Sequence, residues 1–133
     1  MCLLLVVDDE YLIRESVAEI LSVLGHDIIH ARDGLEALRI FKTKTSDIHL
    51  ILMDIMMPRM SGIAAAKAIK QDHPSTKIVL MSGYTDEIPS EADAFLSKPF
   101  RGKDLRDVIQ KILGVDDIPS SNDLKSVQRL AKN

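Results

Sequence analysis

The sequence predicts an α/β fold in which helices cover both faces of a parallel sheet. Short, wholly apolar runs at 3–7 and 50–53 have the character of strands that are buried on both sides. These runs alternate with longer segments in which apolar residues recur at helical spacing. Such alternation is typical of a doubly wound sheet, whose crossover connections are right-handed.

Each element can be assigned in chain order from this pattern. The predicted strands lie at 3–7, 27–30, 50–53, 78–81 and 94–96. The predicted helices lie at 12–24, 33–41, 63–71 and 105–112. Asp33, with Glu36 three residues later, is suited to cap the second helix. Gly25 and Gly114 stand where the first and last helices are expected to end.

The first helix is assigned from its apolar residues. Its apolar residues recur every three or four positions, which predicts one face turned toward the sheet. These positions are Leu12, Ile13, Val17, Ile20, Leu21 and Leu24.

Composition narrows the class of protein. The chain has 133 residues, enough for one domain with a buried core, and its 46% hydrophobic and 28% charged content argues against disorder. A net charge of −3 is not basic enough for non-specific nucleic-acid binding, so no direct nucleic-acid partner is expected. Cys2 is the only cysteine, which excludes an intrachain disulfide and fits a reducing compartment.

Targeting signals are not found in the sequence. The N-terminus lacks a charged segment followed by a long apolar one, which a signal peptide would show. No apolar stretch approaches the roughly 20 residues that span a bilayer. A cytoplasmic protein with no membrane partner is therefore expected.

Polar residues fall where the predicted strands end. Asp8 and Asp9 follow the first strand, Asp54 follows the third, Ser82 the fourth and Lys98 the fifth. Because the carboxyl ends of parallel strands meet at one edge of a sheet, ligand sites form there, at the topological switch point. We therefore expect these side chains to share one pocket.

The strand order decides whether Asp9 and Asp54 can bind a common ligand. In the order 2-1-3-4-5, strands one and three are neighbours about 5 Å apart, whereas in the order 3-2-1-4-5 they are separated by roughly 10 Å. The second order usually accompanies a glycine-rich phosphate loop after strand one. The segment Asp8-Asp9-Glu10 has no glycine, and its carboxylates would repel a pyrophosphate, which disfavours nucleotide binding.

A cluster of three carboxylates needs compensating charge. Two like charges 4 Å apart cost about 4 kcal/mol at an effective dielectric constant of 20. Lys98 can offset one carboxylate, and an oxygen-only ligand set without histidine or thiolate indicates Mg²⁺ for the rest. A carboxylate beside a metal, a lysine and a hydroxyl is suited to phosphoryl transfer, with Asp54 as nucleophile and Ser82 as a donor to a phosphoryl oxygen.

These residues resemble a known family, the receiver domains of two-component response regulators (CheY-like proteins). Four motifs in order carry the resemblance over residues 1–114: Val7-Asp8-Asp9-Glu10, Met53-Asp54-Ile55-Met56-Met57-Pro58, Met81-Ser82-Gly83-Tyr84 and Ser97-Lys98-Pro99-Phe100. The resemblance implies a flavodoxin-like sheet of five parallel strands in the order 2-1-3-4-5.

The resemblance also implies roles in phosphoryl acceptance. Asp54 matches the aspartate that receives a phosphoryl group from the phosphohistidine of a sensor histidine kinase or phosphotransfer protein. Asp9 matches a direct Mg²⁺ ligand, Asp8 matches a carboxylate that often acts through water, and Met56 stands where a backbone carbonyl binds the metal. Lys98 matches the lysine that binds the phosphoryl group.

Two further residues match the family's switch. Ser82 matches the hydroxyl that moves toward the phosphoryl group, and Phe95 matches the aromatic switch residue. Phe95 lacks a tyrosine's hydroxyl, so its inward position would depend on packing alone. The residue also suits an ordinary core position, and both roles can hold together.

One departure from the family concerns the readout of phosphorylation. Only 15 residues separate Ser82 from Lys98 (98 − 82 − 1). The family usually has roughly six more, which is nearly two helical turns. Pro89 also resists helix continuation in 83–91. We therefore expect the fourth helix of the family to be shortened or missing.

The predicted organisation is a receiver domain at 1–114 and a linker with a short amphipathic tail at 115–133. Apolar residues recur at helical spacing in the tail, at Leu124, Val127, Leu130 and Ala131. A helix of about ten residues is marginal alone, so the tail is expected to dock on the receiver or to lead to a further domain.

The leading functional hypothesis is a phospho-accepting signalling module that regulates an unidentified output partner. It would not be an enzyme with a separate substrate, since it would only assist its own phosphorylation and dephosphorylation. Homodimerisation is left open. One alternative is a binding module that no longer uses phosphate. Another is a phosphatase with an aspartyl-phosphate intermediate, which Met56 disfavours because it occupies the slot where such enzymes carry a general acid.

Overall fold

The computed structural model describes residues 2–44, 47–83 and 88–114. Its elements in chain order are β1 (Leu3–Val7), α1 (Tyr11–Val23), β2 (Asp27–Ala31), α2 (Gly34–Lys44), β3 (Leu50–Asp54), α3 (Gly62–Asp72), β4 (Lys77–Ser82), β5 (Ala94–Ser97) and α4 (Gly102–Leu113). The strands form one parallel sheet in the order β2-β1-β3-β4-β5. The predicted fold class and strand order are therefore confirmed.

Two apolar layers hold the helices on the sheet. Successive strand residues point to opposite faces, so the buried apolar residues of β1, β3 and β4 supply both layers at once. One layer lies under α1 and α4 and contains Leu21 and Leu105. The other lies under α2 and α3 and contains Phe41 and Ile69. The site at the sheet edge is thus supported from both sides.

The buried face of α1 includes only part of its apolar pattern. Its buried residues are Arg14, Val17, Ala18 and Leu21, which recur at the spacing of one helix face. Leu12, which the apolar pattern placed toward the core, is 77% exposed. The face that packs on the sheet therefore begins with a charged residue, and the apolar Leu12 lies outside it.

The start of α2 is tied to the loop that follows β3. Asp33 caps α2 as predicted, because the backbone N–H of Glu36 donates to Asp33 Oδ1 at 2.9 Å. Arg59, in the β3–α3 loop, donates from Nε to Asp33 Oδ2 at 3.0 Å. The backbone hydrogen bond from Glu36 lowers the pKa of Asp33, and the Arg59 guanidinium lowers it further against the opposing effect of burial.

The connection between β4 and β5 confirms the predicted loss of a helix within its described residues. Positions 83 and 88–93 form no helix, and 84–87 lie outside the described residues. The end of the connection is attached to α3 and β4: Asp93 Oδ2 accepts from Lys70 Nζ at 2.7 Å and from the backbone N–H of Ile78 at 2.8 Å. Lys67 and Glu91 form a longer ion pair of 3.9 Å.

The C-terminal helix ends as predicted. Gly114 has a φ of 63°, in the left-handed region that glycine adopts most easily, and its N–H donates to the carbonyl of Gln110. The linker and amphipathic tail predicted at 115–133 lie outside the described residues. No helix in the described part of the chain is long and apolar enough to cross a bilayer.

Candidate functional site

The carboxyl edge of the sheet brings the predicted polar residues together. Asp54 and Ser82 end β3 and β4, while Asp8 and Lys98 directly follow β1 and β5. Five predicted residues line one cavity of about 630 Å³, together with apolar side chains of α1 and of the β5–α4 loop: Asp9, Asp54, Met56, Ser82 and Lys98. Asp8 lies directly beneath them and is fully buried.

Asp8 is held by protein groups on all of its polar atoms. Its Oδ2 accepts from Lys98 Nζ at 2.8 Å, and its Oδ1 accepts from the backbone N–H of Glu10 at 2.9 Å. Its backbone N–H donates to Ala31 O at 3.2 Å, and its carbonyl accepts from Arg14 Nη1 at 2.6 Å. Asp8 is therefore a fixed part of the site that orients its neighbours.

Asp54 has a buried carboxylate, and its pKa is raised above the ordinary value. Burial raises its pKa to about 6, and the negative charge of Asp8 adds to this effect, whereas Lys98 and the backbone N–H of Met56 oppose it. Lys98 Nζ lies 3.5 Å from Asp54 Oδ2. Asp54 is therefore mostly ionised at neutral pH, but its charge is only partly compensated.

Lys98 bridges the two buried carboxylates. Burial alone would lower its pKa, but the hydrogen bond to Asp8 and the charges of Asp8 and Asp54 outweigh burial, so the pKa is raised above its ordinary value. Its backbone N–H donates to Ser82 O at 3.0 Å, which continues the sheet beyond β5. The ammonium is therefore a permanent positive charge at a fixed place.

Asp9 completes an acidic cluster. One carboxylate oxygen from each of Asp8, Asp9 and Asp54 lies within 4.8 Å of the others. Asp9 is exposed, and within the described residues its carboxylate accepts no hydrogen bond and forms no ion pair. Three carboxylates against one ammonium leave an excess of negative charge beside solvent. An all-oxygen donor set with this excess fits Mg²⁺.

The remaining predicted residues occupy different places. Ser82 is buried at the end of β4, and Met56 lies in the loop after Asp54, at the cavity wall. Phe95 is half-buried and packs with the apolar layer under α2 and α3, away from the cavity lining. The functional roles assigned to these three residues stay predictions.

Sequence reasoning did not single out two residues that contact the site. Arg14 reaches the carbonyl of Asp8 from the buried face of α1. Gly62 lies so close to Asp54 that a Cβ added to it would be 2.2 Å from the Asp54 carbonyl oxygen. A signal for Arg14 was present, since it precedes Val17 and Ala18 by three and four positions and so shares their helix face. Gly62 gave no signal beyond that of a turn residue.

The fold and this site together define a class of protein. The chain matches the response regulator receiver domain family over residues 4–110 and belongs to that family.

Curated relatives and solved structures fall in the same class. The chain is 36% identical over 124 residues to the probable transcriptional regulator ycf27 of Porphyridium aerugineum, covering 90% of this chain and 51% of that protein. It is 35% identical over 125 residues to response regulator RR06 of Streptococcus pneumoniae, covering 86% and 56% respectively. The chain thus spans about half the length of these curated relatives.

Two solved structures are similar along almost their whole length. TrrA from Thermotoga maritima, crystallised in complex with Mg(2+)-BeF, superposes with a TM-score of 0.79 at 35% identity, covering 85% of this chain and 100% of that one. The chemotaxis protein CheY4 of Vibrio cholerae superposes with a TM-score of 0.78 at 30% identity, covering 85% and 99%.

Lys98→Met is expected to lower the free energy of unfolding by about 3 kcal/mol at pH 7, because it leaves the charge of Asp8 buried without its partner. Urea denaturation measures the loss. Lys103→Met, the same substitution at an exposed position of α4, should have little effect. Equal losses in the two variants would contradict the structural role given to Lys98.

Proposed function

We propose that this chain is a phospho-accepting receiver that takes a phosphoryl group on Asp54 in a Mg²⁺-dependent reaction. The donor would be the phosphohistidine of a sensor histidine kinase or a phosphotransfer protein. The observation that carries the proposal is the position of Asp54, a buried carboxylate at the base of an open cavity between Lys98 and Asp9. Membership of the receiver family supports it.

The residues around Asp54 would act mainly by position and charge. An oxygen of the Asp54 carboxylate forms the new bond to phosphorus as the bond from phosphorus to the donor nitrogen breaks. Lys98, held by Asp8, presents its ammonium to a phosphoryl oxygen, and the Ser82 hydroxyl donates to another. Bound Mg²⁺, held by Asp9, Asp54 and the Met56 carbonyl, would supply further positive charge to the same oxygens.

Phosphorylation would then change the population of two conformations. Ser82 and Phe95 are the proposed switch residues, because one ends β4 beside Asp54 and the other lies three positions before Lys98. Swinging an equilibrium from 1:99 to 99:1 needs about 5.5 kcal/mol of differential affinity. The output partner would be another domain or protein whose affinity depends on this equilibrium.

The direct test is incubation with Mg²⁺ and acetyl phosphate, followed by mass spectrometry of the intact protein. One phosphoryl adduct is expected, and chelation of Mg²⁺ should prevent it. Hydroxylamine should remove the adduct, since it cleaves acyl phosphates. Failure to form an adduct at saturating Mg²⁺ and donor would refute the proposal.

A phosphate-independent binding module is the second candidate. It is favoured by the connection between β4 and β5, whose described residues lack the fourth helix that is usual in the family, as the sequence predicted. The two candidates differ in their response to beryllium fluoride with Mg²⁺. Chemical shift changes that reach β5 and α4 would support the phospho-dependent receiver, and changes confined to the acidic cluster would support the second candidate.

The affinity for Mg²⁺ is expected to fall as the pH drops below about 6. Above its pKa of about 6 Asp54 is ionised and available to a cation, whereas below it a proton competes, so affinity should fall about tenfold per pH unit. Calorimetric titration at pH 7.5 and at pH 5, about one unit below the pKa of Asp54, should show about a tenfold loss. Constant affinity across that range would contradict Asp54 as a ligand.

A further inference from the structure

Arg14 carries a buried positive charge that has no role in the proposed phosphoryl transfer to Asp54. It lies on the face of α1 that packs on the sheet and is 8% exposed. Its Nη1 donates to the carbonyl of Asp8 at 2.6 Å, and its Nε has no hydrogen-bond partner in the part of the chain that the structure describes. Among the described residues no carboxylate lies within ion-pair distance of it. Its buried neighbours Val17 and Leu21 are apolar, so an apolar residue would suit the position.

The burial of this charge has a cost that its contacts only partly offset. A buried cation needs a hydrogen-bonded or charged partner to be tolerated. Arg14 has one short bond to a peptide carbonyl and the ring of Tyr11, whose centroid lies 5.6 Å from its Cζ. The hydrogen bond to the Asp8 carbonyl is therefore the main interaction that offsets the cost of burying the Arg14 charge. It is made to the acidic turn at residues 8–10.

The carbonyl that Arg14 holds belongs to the peptide unit between Asp8 and Asp9. A peptide unit is planar, so fixing its oxygen fixes the direction in which the chain reaches the next Cα. Asp9 depends on this because its own carboxylate has no partner among the described residues. The turn has other restraints, from Asp8 N to Ala31 O, from Lys98 Nζ to Asp8 Oδ2 and from Glu10 N to Asp8 Oδ1. Arg14 supplies the one that acts on the peptide oxygen itself.

We propose that Arg14 is a positioning residue for Asp9, which acts through the Asp8–Asp9 peptide and keeps the Asp9 carboxylate within reach of a cation shared with Asp54. This inference rests on the proposed Mg²⁺ site. A purely electrostatic role for Arg14 has the opposite consequence, because removing a positive charge beside three carboxylates should strengthen cation binding. The sign of the effect therefore separates positioning from charge.

Calorimetric titration with Mg²⁺ at pH 7.5 tests the proposal. Arg14→Met should weaken binding by about tenfold or more, the usual effect of removing a group that orients a metal ligand. Arg14→Lys keeps a donor on a shorter stem and should bind with an affinity between those of Arg14→Met and the wild type. Arg39→Met, an exposed arginine of α2, should bind as the wild type does. Unchanged or tighter binding by Arg14→Met would overturn the proposal.

Hydrogen exchange without Mg²⁺ gives a second readout that does not need the metal. The amide of Glu10, bonded to Asp8 Oδ1, should exchange faster in Arg14→Met, whereas the amide of Ile109 in α4 should not change. Equal acceleration at both amides would indicate general destabilisation and overturn the positioning role. If the wild type binds no Mg²⁺, the proposed function fails, and the Glu10 amide still reports whether Arg14 holds the turn.

Discussion

Asp54→Asn is expected to abolish the phosphoryl adduct and, at the same time, to raise the free energy of unfolding at neutral pH by about 2 to 3 kcal/mol. The loss of the adduct follows from the loss of the nucleophilic carboxylate. The gain in stability follows from the raised pKa of Asp54, about 6, since one pKa unit corresponds to about 1.4 kcal/mol. Asparagine removes the charge and keeps an oxygen that can accept from the backbone N–H of Met56.

The gain should depend on pH in a defined direction. The folded protein holds a proton on Asp54 up to about pH 6, whereas the unfolded chain releases it near pH 4, so the contribution of Asp54 to the stability of the wild type falls as the pH rises through this window. The variant does not titrate at this position. Its advantage should therefore be full above pH 6 and should disappear toward pH 4.

Urea denaturation of both proteins without Mg²⁺, at several pH values between about 4 and 7.5, measures the difference. Asp47→Asn, at an exposed aspartate, is the matched control and should change stability little at any of these values. An advantage of Asp54→Asn that was constant across the range would show that packing, and not charge, distinguishes the two residues.

Gly62→Ala is expected to destabilise the protein by about 3 kcal/mol or more and to slow phosphoryl acceptance. Its Cβ would lie 2.2 Å from the carbonyl oxygen and 2.9 Å from the carbonyl carbon of Asp54. Both are backbone atoms at the end of the buried strand β3, so the clash cannot be relieved by rotation of a side chain. The relief must come from a shift of α3 or of the Asp54 backbone, and either one moves the proposed acceptor.

Gly83→Ala is the matched control for this substitution. A Cβ at Gly83 would meet the carbonyl oxygen of Lys98 at 3.5 Å, an ordinary contact. Thermal unfolding and the rate of adduct formation with acetyl phosphate should both separate the two variants. Similar effects of the two alanines would contradict the close approach of Gly62 to Asp54.

The fold and the clustering of the site residues could be predicted from the sequence, because both depend on patterns among residues that are close together in the chain. Apolar runs mark buried strands, and polar residues directly after them must emerge at the carboxyl edge of a parallel sheet. Asp8, Asp54 and Lys98 could be located in this way because each is adjacent to its own strand. The distances between these three residues and the raised pKa of Asp54 depend on the three-dimensional arrangement of several strands.

Other features depend on contacts between distant segments, which periodicity does not report. The hydrogen bond from Arg59 to Asp33 joins residues 26 positions apart, and the sequence around either residue gives no indication of it. Leu12 shows the converse error, because its apolar character suggested a core position that the rotation of α1 does not give it. Arg14 occupies that face because it is bonded to a backbone oxygen, a contact that hydropathy cannot represent.

The attachment of the β4–β5 connection to α3 has a consequence for how the protein responds to dissolved salt. The outer pair, Lys67 with Glu91, is long and its lysine is exposed, so its attraction is weak and falls further as ionic strength rises. The inner contact is less sensitive, since Asp93 also accepts from the peptide N–H of Ile78. Rising ionic strength should therefore release the connection from its solvent side inward, while its junction with β5 keeps its place beside the sheet.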